Sequence, residues 1–214
     1  MVEKETYEKA RLIFLDFKKE AESARNKEKI KEFKLAANEL IKEYNTANRE
    51  NRFIVGGAIE ILFSVLLKSL NFRVKWLSGE MRYDLMIDNI GFSLKTNFTG
   101  NGDIRLINIL GNKEAKWEEP TIFLISGIGM CYSDPEIGNF QTKHTNDALT
   151  INVKQIINFV KNHPQFLIKI ILKKKQRDIQ NSTKTASMDV AKVILEKIQS
   201  RHLIKYIKDI IKNR

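Results

Sequence analysis

The sequence has few of the residues that form covalent or metal cross-links, with one cysteine, Cys131, and three histidines among 214 residues. A single cysteine excludes a disulfide framework within the chain, and three histidines leave little material for a zinc site. No apolar run reaches the roughly 18 residues that a membrane-spanning helix needs. No N-terminal segment has the pattern of a signal peptide. We therefore expect a cytoplasmic protein with no membrane partner.

Glycine and proline are also scarce, with 10 and 3 residues, which argues against a low-complexity chain. Hydrophobic residues make up 43% of the chain and charged residues 29%, as in a folded domain with one core. Apolar residues recur at helical spacing over residues 5–24 and 27–45. We predict one structural unit with two parts, a helical hairpin over residues 1–50 packed on or next to a core domain over residues 51–214.

The net charge of +11 is concentrated in the last quarter of the chain. Residues 161–214 carry 14 basic and 4 acidic side chains, whereas residues 51–160 carry 11 of each. Such a block favours a polyanionic partner, and nucleic acid is the commonest one. The alternative is a solvated face that only keeps the protein soluble.

The core domain combines strongly apolar helices with short strands, which predicts an α/β (α+β) fold. We expect a central mixed β-sheet of about five strands flanked by helices. A continuous apolar run is typical of a strand that is buried on both faces. The predicted segments are a helix at 53–70, a strand at 72–78, a hairpin at 83–96, a buried strand at 121–132, a loop at 134–150, a helix at 152–162, a strand at 165–173 and helical structure at 187–213.

The hairpin at 83–96 carries an acid on one strand and a lysine on the other. An even-numbered loop centred on residues 89 and 90 places Asp84 directly opposite Lys95. Ser93 and Lys95 are two positions apart and project from the same face. This pattern indicates either a cross-strand salt bridge or a small polar site on a rigid hairpin.

Glu60 interrupts the apolar helix at 53–70, where a carboxylate is unfavourable unless it is paired or coordinates an ion. The alternative is an exposed stripe on an otherwise buried helix. Gly56 and Gly57 would allow another backbone, or DNA, to approach the start of this helix closely.

A helix with an isolated Glu, a strand, a strand with Asp and a strand ending Ser93-Leu94-Lys95 follow one another over residues 53–132. This order resembles the PD-(D/E)xK nuclease superfamily, and most of all its type II restriction endonucleases. The resemblance implies a restriction-endonuclease-like fold. It also implies that Asp84 is the metal-binding acid, Lys95 the final lysine of the motif, Glu60 the additional acid on the helix, and the Leu94 backbone carbonyl a further metal ligand.

Two positions depart from the pattern of that superfamily. Tyr83 stands where the motif has proline, and Ser93 stands where it has Asp or Glu. The short motif therefore lacks one carboxylate, and Glu60 is the residue that would supply it. The predicted catalytic set is Glu60, Asp84, Ser93 and Lys95.

These residue types suit phosphodiester hydrolysis on chemical grounds as well. Hard oxygen ligands such as Asp84 and Glu60 favour Mg²⁺, with no other cofactor required. The metal would polarise a phosphoryl oxygen and lower the pKa of a bound water. Lys95 would orient that water, act as a base or stabilise charge in the transition state. The sequence does not choose among these roles, or between one metal ion and two.

We predict sequence-specific cleavage of double-stranded DNA by a homodimer, since a two-fold dimer matches a palindromic target. Arg, Lys and Asn side chains near the site would contact bases or phosphates. The predicted DNA contacts are Arg49, Arg52, Met81, Arg82, Asn97, Asn101, Arg105, Lys113, Lys173, Lys174 and Lys175.

Three other hypotheses remain open at this point. The first is a structure-specific repair or recombination nuclease on the same scaffold. The second is a non-catalytic DNA-binding protein in which Ser93 marks a lost site. The third is a helical scaffold or interaction protein, which would leave the polar residues of the hairpin unexplained.

Overall fold

The computed structural model describes residues 4–44, 46, 49–77, 82–109, 114–174 and 185–212. The helices are α1 (Lys4–Glu22), α2 (Lys27–Glu43), α3 (Arg49–Ser69), α4 (Pro135–Gly138), α5 (Val153–Asn162), α6 (Ser187–Lys197) and α7 (Ile207–Lys212). The strands are β1 (Val74–Trp76), β2 (Leu85–Ile87), β3 (Ile90–Asn97), β4 (Asp103–Asn108), β5 (Thr121–Ile125), β6 (Gly129–Ser133), β7 (Lys143–His144), β8 (Ala148–Asn152) and β9 (Leu167–Ile168). No helix in these ranges is both long enough and apolar enough to cross a bilayer.

Six strands form a mixed sheet in the order β1-β2-β3-β5-β6-β9. β3 and β5 are parallel, and the other neighbouring pairs are antiparallel. A second, antiparallel sheet has the order β4-β8-β7. The predicted mixed α/β class is confirmed, with six strands in the main sheet rather than about five.

The N-terminal helices belong to the same core as the main sheet. Phe14 of α1 packs on Tyr132 of β6, with ring centroids 5.4 Å apart. Phe17 packs edge-on against Phe63 of α3, also at 5.4 Å. Phe33 of α2 lies in the same buried cluster. The predicted helical pair is therefore found, and it packs on the sheet.

Two polar contacts join distant parts of the chain around this core. Arg11 of α1 binds the fully buried carboxylate of Asp134 through two hydrogen bonds of 2.8 Å. Glu32 of α2 accepts the backbone N–H groups of residues 201–203 and the hydroxyl of Ser200. The buried Asp134 carboxylate is stable only with such partners, and the half-buried Glu32 carboxylate is held by four donors, so both contacts fix where the helices sit.

Four predicted segments differ from the structure. The strand predicted at 121–132 is wrong, because the chain turns at residues 126–128 and forms the hairpin β5–β6, in which all residues of both strands are buried. The loop predicted at 134–150 contains α4, β7 and the start of β8. The strand predicted at 165–173 pairs only over β9, and the structure predicted at 187–213 is split into α6 and α7.

Candidate catalytic site

The hairpin β2–β3 turns one position earlier than predicted. Leu85 pairs with Phe92 and Ile87 with Ile90, so the loop consists of Asp88 and Asn89. Both loop residues have positive φ, 47° and 68°. Asp and Asn tolerate this conformation, whereas a β-branched residue such as Ile90 does not. The predicted pairing of Asp84 with Lys95 is therefore wrong, because the register is shifted by two residues and the ladder ends at the pair Leu85 and Phe92. The Asp84 N–H donates to the Phe92 carbonyl at 3.0 Å.

A shift of two residues keeps every side chain on its predicted face. Asp84, Ser93 and Lys95 consequently still meet, around one carboxylate oxygen. Oδ2 of Asp84 accepts hydrogen bonds from the Ser93 hydroxyl at 3.1 Å, the Leu94 backbone N–H at 2.6 Å and Lys95 Nζ at 3.4 Å. Three donors on one oxygen hold the carboxylate in a single orientation.

The other oxygen of Asp84, Oδ1, accepts no hydrogen bond from any residue that the structure describes. The Leu94 N–H points to the edge of β3 that faces β2. Leu94 lies beyond the last pair of this ladder, Leu85 with Phe92, so its N–H meets the Asp84 side chain instead of a β2 carbonyl. The N–H and C=O of one residue in an extended strand project to the same edge. The Leu94 carbonyl therefore lies on this edge as well, beside the carboxylate.

Glu60 reaches the same place from helix α3. Its Oε2 accepts a hydrogen bond of 3.0 Å from the indole Nε1 of Trp76, on β1. Burial and the nearby Asp84 carboxylate raise the Glu60 pKa from 4.5 to about 7, against the opposing effects of the Trp76 hydrogen bond and the Lys95 charge. Glu60, Asp84 and Lys95 thus form one interacting group of charges, supplied by α3, by the residue just before β2 and by β3.

The donor set fits a hard divalent cation with few protein ligands. Within the described ranges there is no cluster of three or more His, Cys, Asp or Glu side chains that could hold a metal. The site instead has the carboxylates of Glu60 and Asp84, with Ser93 where a third acid would be expected, and the Leu94 carbonyl. Mg²⁺ keeps several waters and is commonly held by one or two carboxylates, so these groups suit it.

Several predicted DNA contacts are engaged within the protein. Arg82 forms ion pairs with Glu118 at 2.7 Å and Glu119 at 3.1 Å. Arg105 binds Asp147 at 2.7 Å and Asn108 at 3.0 Å.

The Asn97 side chain closes the loop after β3. It donates to the Asn101 carbonyl and accepts from the Gly100 N–H. Its role in DNA binding stays a prediction, as do those of Arg82 and Arg105.

Other predicted DNA contacts lie on the surface or outside the described part. Arg52, Asn101, Lys173 and Lys174 are exposed. The Arg49 backbone lies in the first turn of α3, but its side chain is outside the described part, as are Met81, Lys113 and Lys175.

Lys174 lies across two glycines at the ends of β3 and β5. Its Cε is 2.9 Å from the position that a Cβ of Gly100 would take and 2.6 Å from that of Gly127. Both glycines have positive φ, 72° and 79°. A side chain at either position would displace this lysine, so the two glycines determine where it lies.

Trp76 is the site residue that the sequence did not reveal. A buried tryptophan usually finds an acceptor for its N–H, and Trp76 is 5% exposed. That signal was present in the sequence, but the identity of the acceptor depends on how α3 packs against β1.

Comparison with protein-family models, with curated proteins and with solved structures finds no match to this chain. We therefore take the function from the contacts of Glu60, Asp84, Ser93 and Lys95.

Proposed function

We propose that this protein is a Mg²⁺-dependent endonuclease that cuts double-stranded DNA at specific sequences, as type II restriction endonucleases of the PD-(D/E)xK superfamily do. One observation carries the proposal. Two carboxylates and a lysine from three different elements converge, with Lys95 Nζ 3.4 Å from Asp84 and the Glu60 pKa raised in part by the Asp84 charge. A perturbed acid beside a second acid and a lysine is typical of a catalytic site.

Each side chain has a distinct task in this proposal. Asp84 and Glu60, with the Leu94 carbonyl, would hold the ion, which when bound would neutralise phosphate charge and lower the pKa of a water. Ser93 and the Leu94 N–H hold Oδ2 of Asp84, which leaves Oδ1 for the ion. Lys95 places its Nζ beside this carboxylate, where it can donate to a phosphoryl oxygen or to the attacking water.

Two helices of the last quarter of the chain pack next to the elements that carry these residues. Helix α6 packs against α3, and α7 packs against both α3 and β1. These are the elements that carry Glu60 and Trp76. Most of the basic excess lies outside these two helices, because α6 carries two lysines and two acids and α7 two lysines and one acid. A polyanionic backbone would therefore be attracted by the net charge of the chain as a whole, and its affinity should fall steeply with salt.

A homodimer completes the proposal, because one site per protomer cuts one strand. A two-fold arrangement presents two such sites to a palindromic sequence. Cross-linking of the protein bound to a short cleaved duplex would show whether two copies act together.

The experiment is digestion of mixed-sequence DNA with Mg²⁺. We expect discrete fragments that disappear with EDTA and in the Lys95→Ala and Asp84→Asn variants. Lys143→Ala removes an exposed lysine of the second sheet and is the matched control, which should cut normally. Absence of cleavage by the wild-type protein with any divalent metal would refute the proposal.

The position of Ser93 favours one alternative, a DNA-binding protein that has lost its chemistry. A site with two acids instead of three would then bind DNA without cutting it, and neither Mg²⁺ nor EDTA would change the affinity. A preference for branched or damaged DNA over any fixed sequence would instead indicate a repair or recombination nuclease.

A further inference from the structure

Trp76 connects the two acids of the site through the β-sheet. It lies on β1 directly across from Leu85, the residue that follows Asp84. From there its indole Nε1 reaches the Glu60 carboxylate on α3, at 3.0 Å. Trp76 therefore pairs with the neighbour of Asp84 and also donates a hydrogen bond to Glu60.

The two acids are held very differently. Asp84 accepts three hydrogen bonds on one oxygen, two of them from side chains and one from backbone. The Glu60 carboxylate accepts one hydrogen bond from the residues that the structure describes, and its donor is Trp76. Glutamate has a longer side chain with more rotamers, so it depends more on its single donor for a fixed orientation.

An indole has one N–H and no acceptor, so its contact with Glu60 has a defined direction. It uses Oε2 and leaves Oε1 without a hydrogen bond from the described residues. Asp84 shows the same division, with Oδ2 occupied by donors and Oδ1 left open. Each carboxylate thus has one oxygen that the protein holds and one that a cation would take.

We propose that Trp76 is a positioning residue, which orients the Glu60 carboxylate so that its second oxygen is available to the metal ion. This inference rests on the proposed function, since it assigns Trp76 to the same metal site. Trp76 acts through Glu60 and does not touch substrate or metal. Partners of this kind typically change metal affinity by about 10- to 100-fold.

The chain offers a matched control in its only other tryptophan, Trp117. Trp117 is also buried, 9% exposed, and donates one hydrogen bond of 2.9 Å, to the hydroxyl of Thr121. Trp76→Phe and Trp117→Phe therefore remove the same group from similar surroundings. Only Trp76→Phe removes a hydrogen-bond donor from Glu60.

The first experiment is calorimetric titration of Mg²⁺ into the protein without DNA. We expect Trp76→Phe to weaken binding about tenfold or more and Trp117→Phe to leave it unchanged. In a Glu60→Gln background, Trp76→Phe should cause no further loss, because its effect passes through Glu60. A purely structural role would instead weaken binding equally in both backgrounds.

A second measurement decides the matter even if Trp76→Phe does not fold. The Trp117→Phe variant has Trp76 as its single tryptophan, and Mg²⁺ should change its emission. Glu60→Gln in that variant should abolish the change. If wild type binds Mg²⁺ but this emission stays constant, or if Trp76→Phe binds as tightly as wild type, the role of Trp76 is refuted and the proposed function stands. If wild type binds no divalent ion, both fall.

Discussion

Replacement of Glu60 by glutamine should stabilise the metal-free protein at alkaline pH. The Glu60 pKa is raised from 4.5 to about 7 in the folded protein. Because this pKa is raised, the neutral carboxyl group favours the folded state more than the ionised one does. Its stabilising contribution is fully present below pH 4.5 and is lost as the pH rises through 7. The difference between a pKa of 4.5 and one of about 7 corresponds to about 3 kcal/mol of unfolding free energy. Glutamine has a similar shape and can still accept from Trp76, but it does not ionise.

The measurement is urea unfolding of wild type and Glu60→Gln in EDTA, at pH 4.5 and pH 8. We expect similar free energies of unfolding at pH 4.5 and an advantage for the variant that approaches about 3 kcal/mol at pH 8. Mg²⁺ at a fixed concentration and pH 8 should then stabilise wild type more than the variant, which binds the ion more weakly.

Glu32→Gln is a control for which we expect the opposite effect on the free energy of unfolding at pH 8. Hydrogen bonds from Ser200 and from the backbone of residues 201–203 lower the Glu32 pKa against its burial. Its stabilising contribution is therefore present above the ordinary pKa and is lost in acid, so glutamine should destabilise the protein at pH 8. If Glu60→Gln also destabilises at pH 8, the assignment of Glu60 as a strained acid that a cation would relieve is refuted.

Three further predictions concern packing and DNA binding. Gly91→Ala would place a Cβ 2.4 Å from the Tyr83 ring and should cost about 1–3 kcal/mol in urea unfolding, whereas Gly56→Ala, with open space around it, should be neutral or stabilising. Arg11→Ala leaves the buried Asp134 carboxylate without an ion-pair partner, held only by the Tyr132 hydroxyl and two backbone N–H groups, and should lower the free energy of unfolding by about 3 kcal/mol; a loss below about 1 kcal/mol would contradict the buried ion pair. Lys174→Ala should reduce the slope of log affinity for duplex DNA against log salt by about one, measured by fluorescence anisotropy, and an unchanged slope would exclude a phosphate contact.

Local patterns predicted the long helices well. The prediction for α3 is 53–70 and the helix lies at Arg49–Ser69, because apolar residues dominate it from residue 53 onward while its first turn is entirely polar. The hairpin β5–β6 was missed although Gly127 and Gly129, with φ of 79° and 134°, carried the signal for its turn. A continuous apolar run was interpreted as one strand, since hydrophobicity alone does not show where such a run reverses.

The candidate site was predictable only in part. The grouping of Asp84, Ser93 and Lys95 followed from strand alternation, which survives a register error of two residues. The error itself came from the turn, where positive φ at Asp88 and Asn89 sets the loop. The contact between Trp76 and Glu60 depends on how a helix docks on a sheet edge, and no local sequence pattern encodes that.

The contact of Glu32 with Ser200 and the residues that follow it has a consequence for folding kinetics. The partners are 168 to 171 positions apart in the chain. Closing so large a loop has an entropic cost before any contact is gained, and folds rich in such contacts form slowly. Until that closure, the Glu32 carboxylate lacks its four hydrogen-bond donors, and part of the apolar surface that α6 and α7 would cover on α3 stays accessible to other chains. Refolding yield should therefore fall as protein concentration rises, while the folded protein unfolds slowly once the loop is closed.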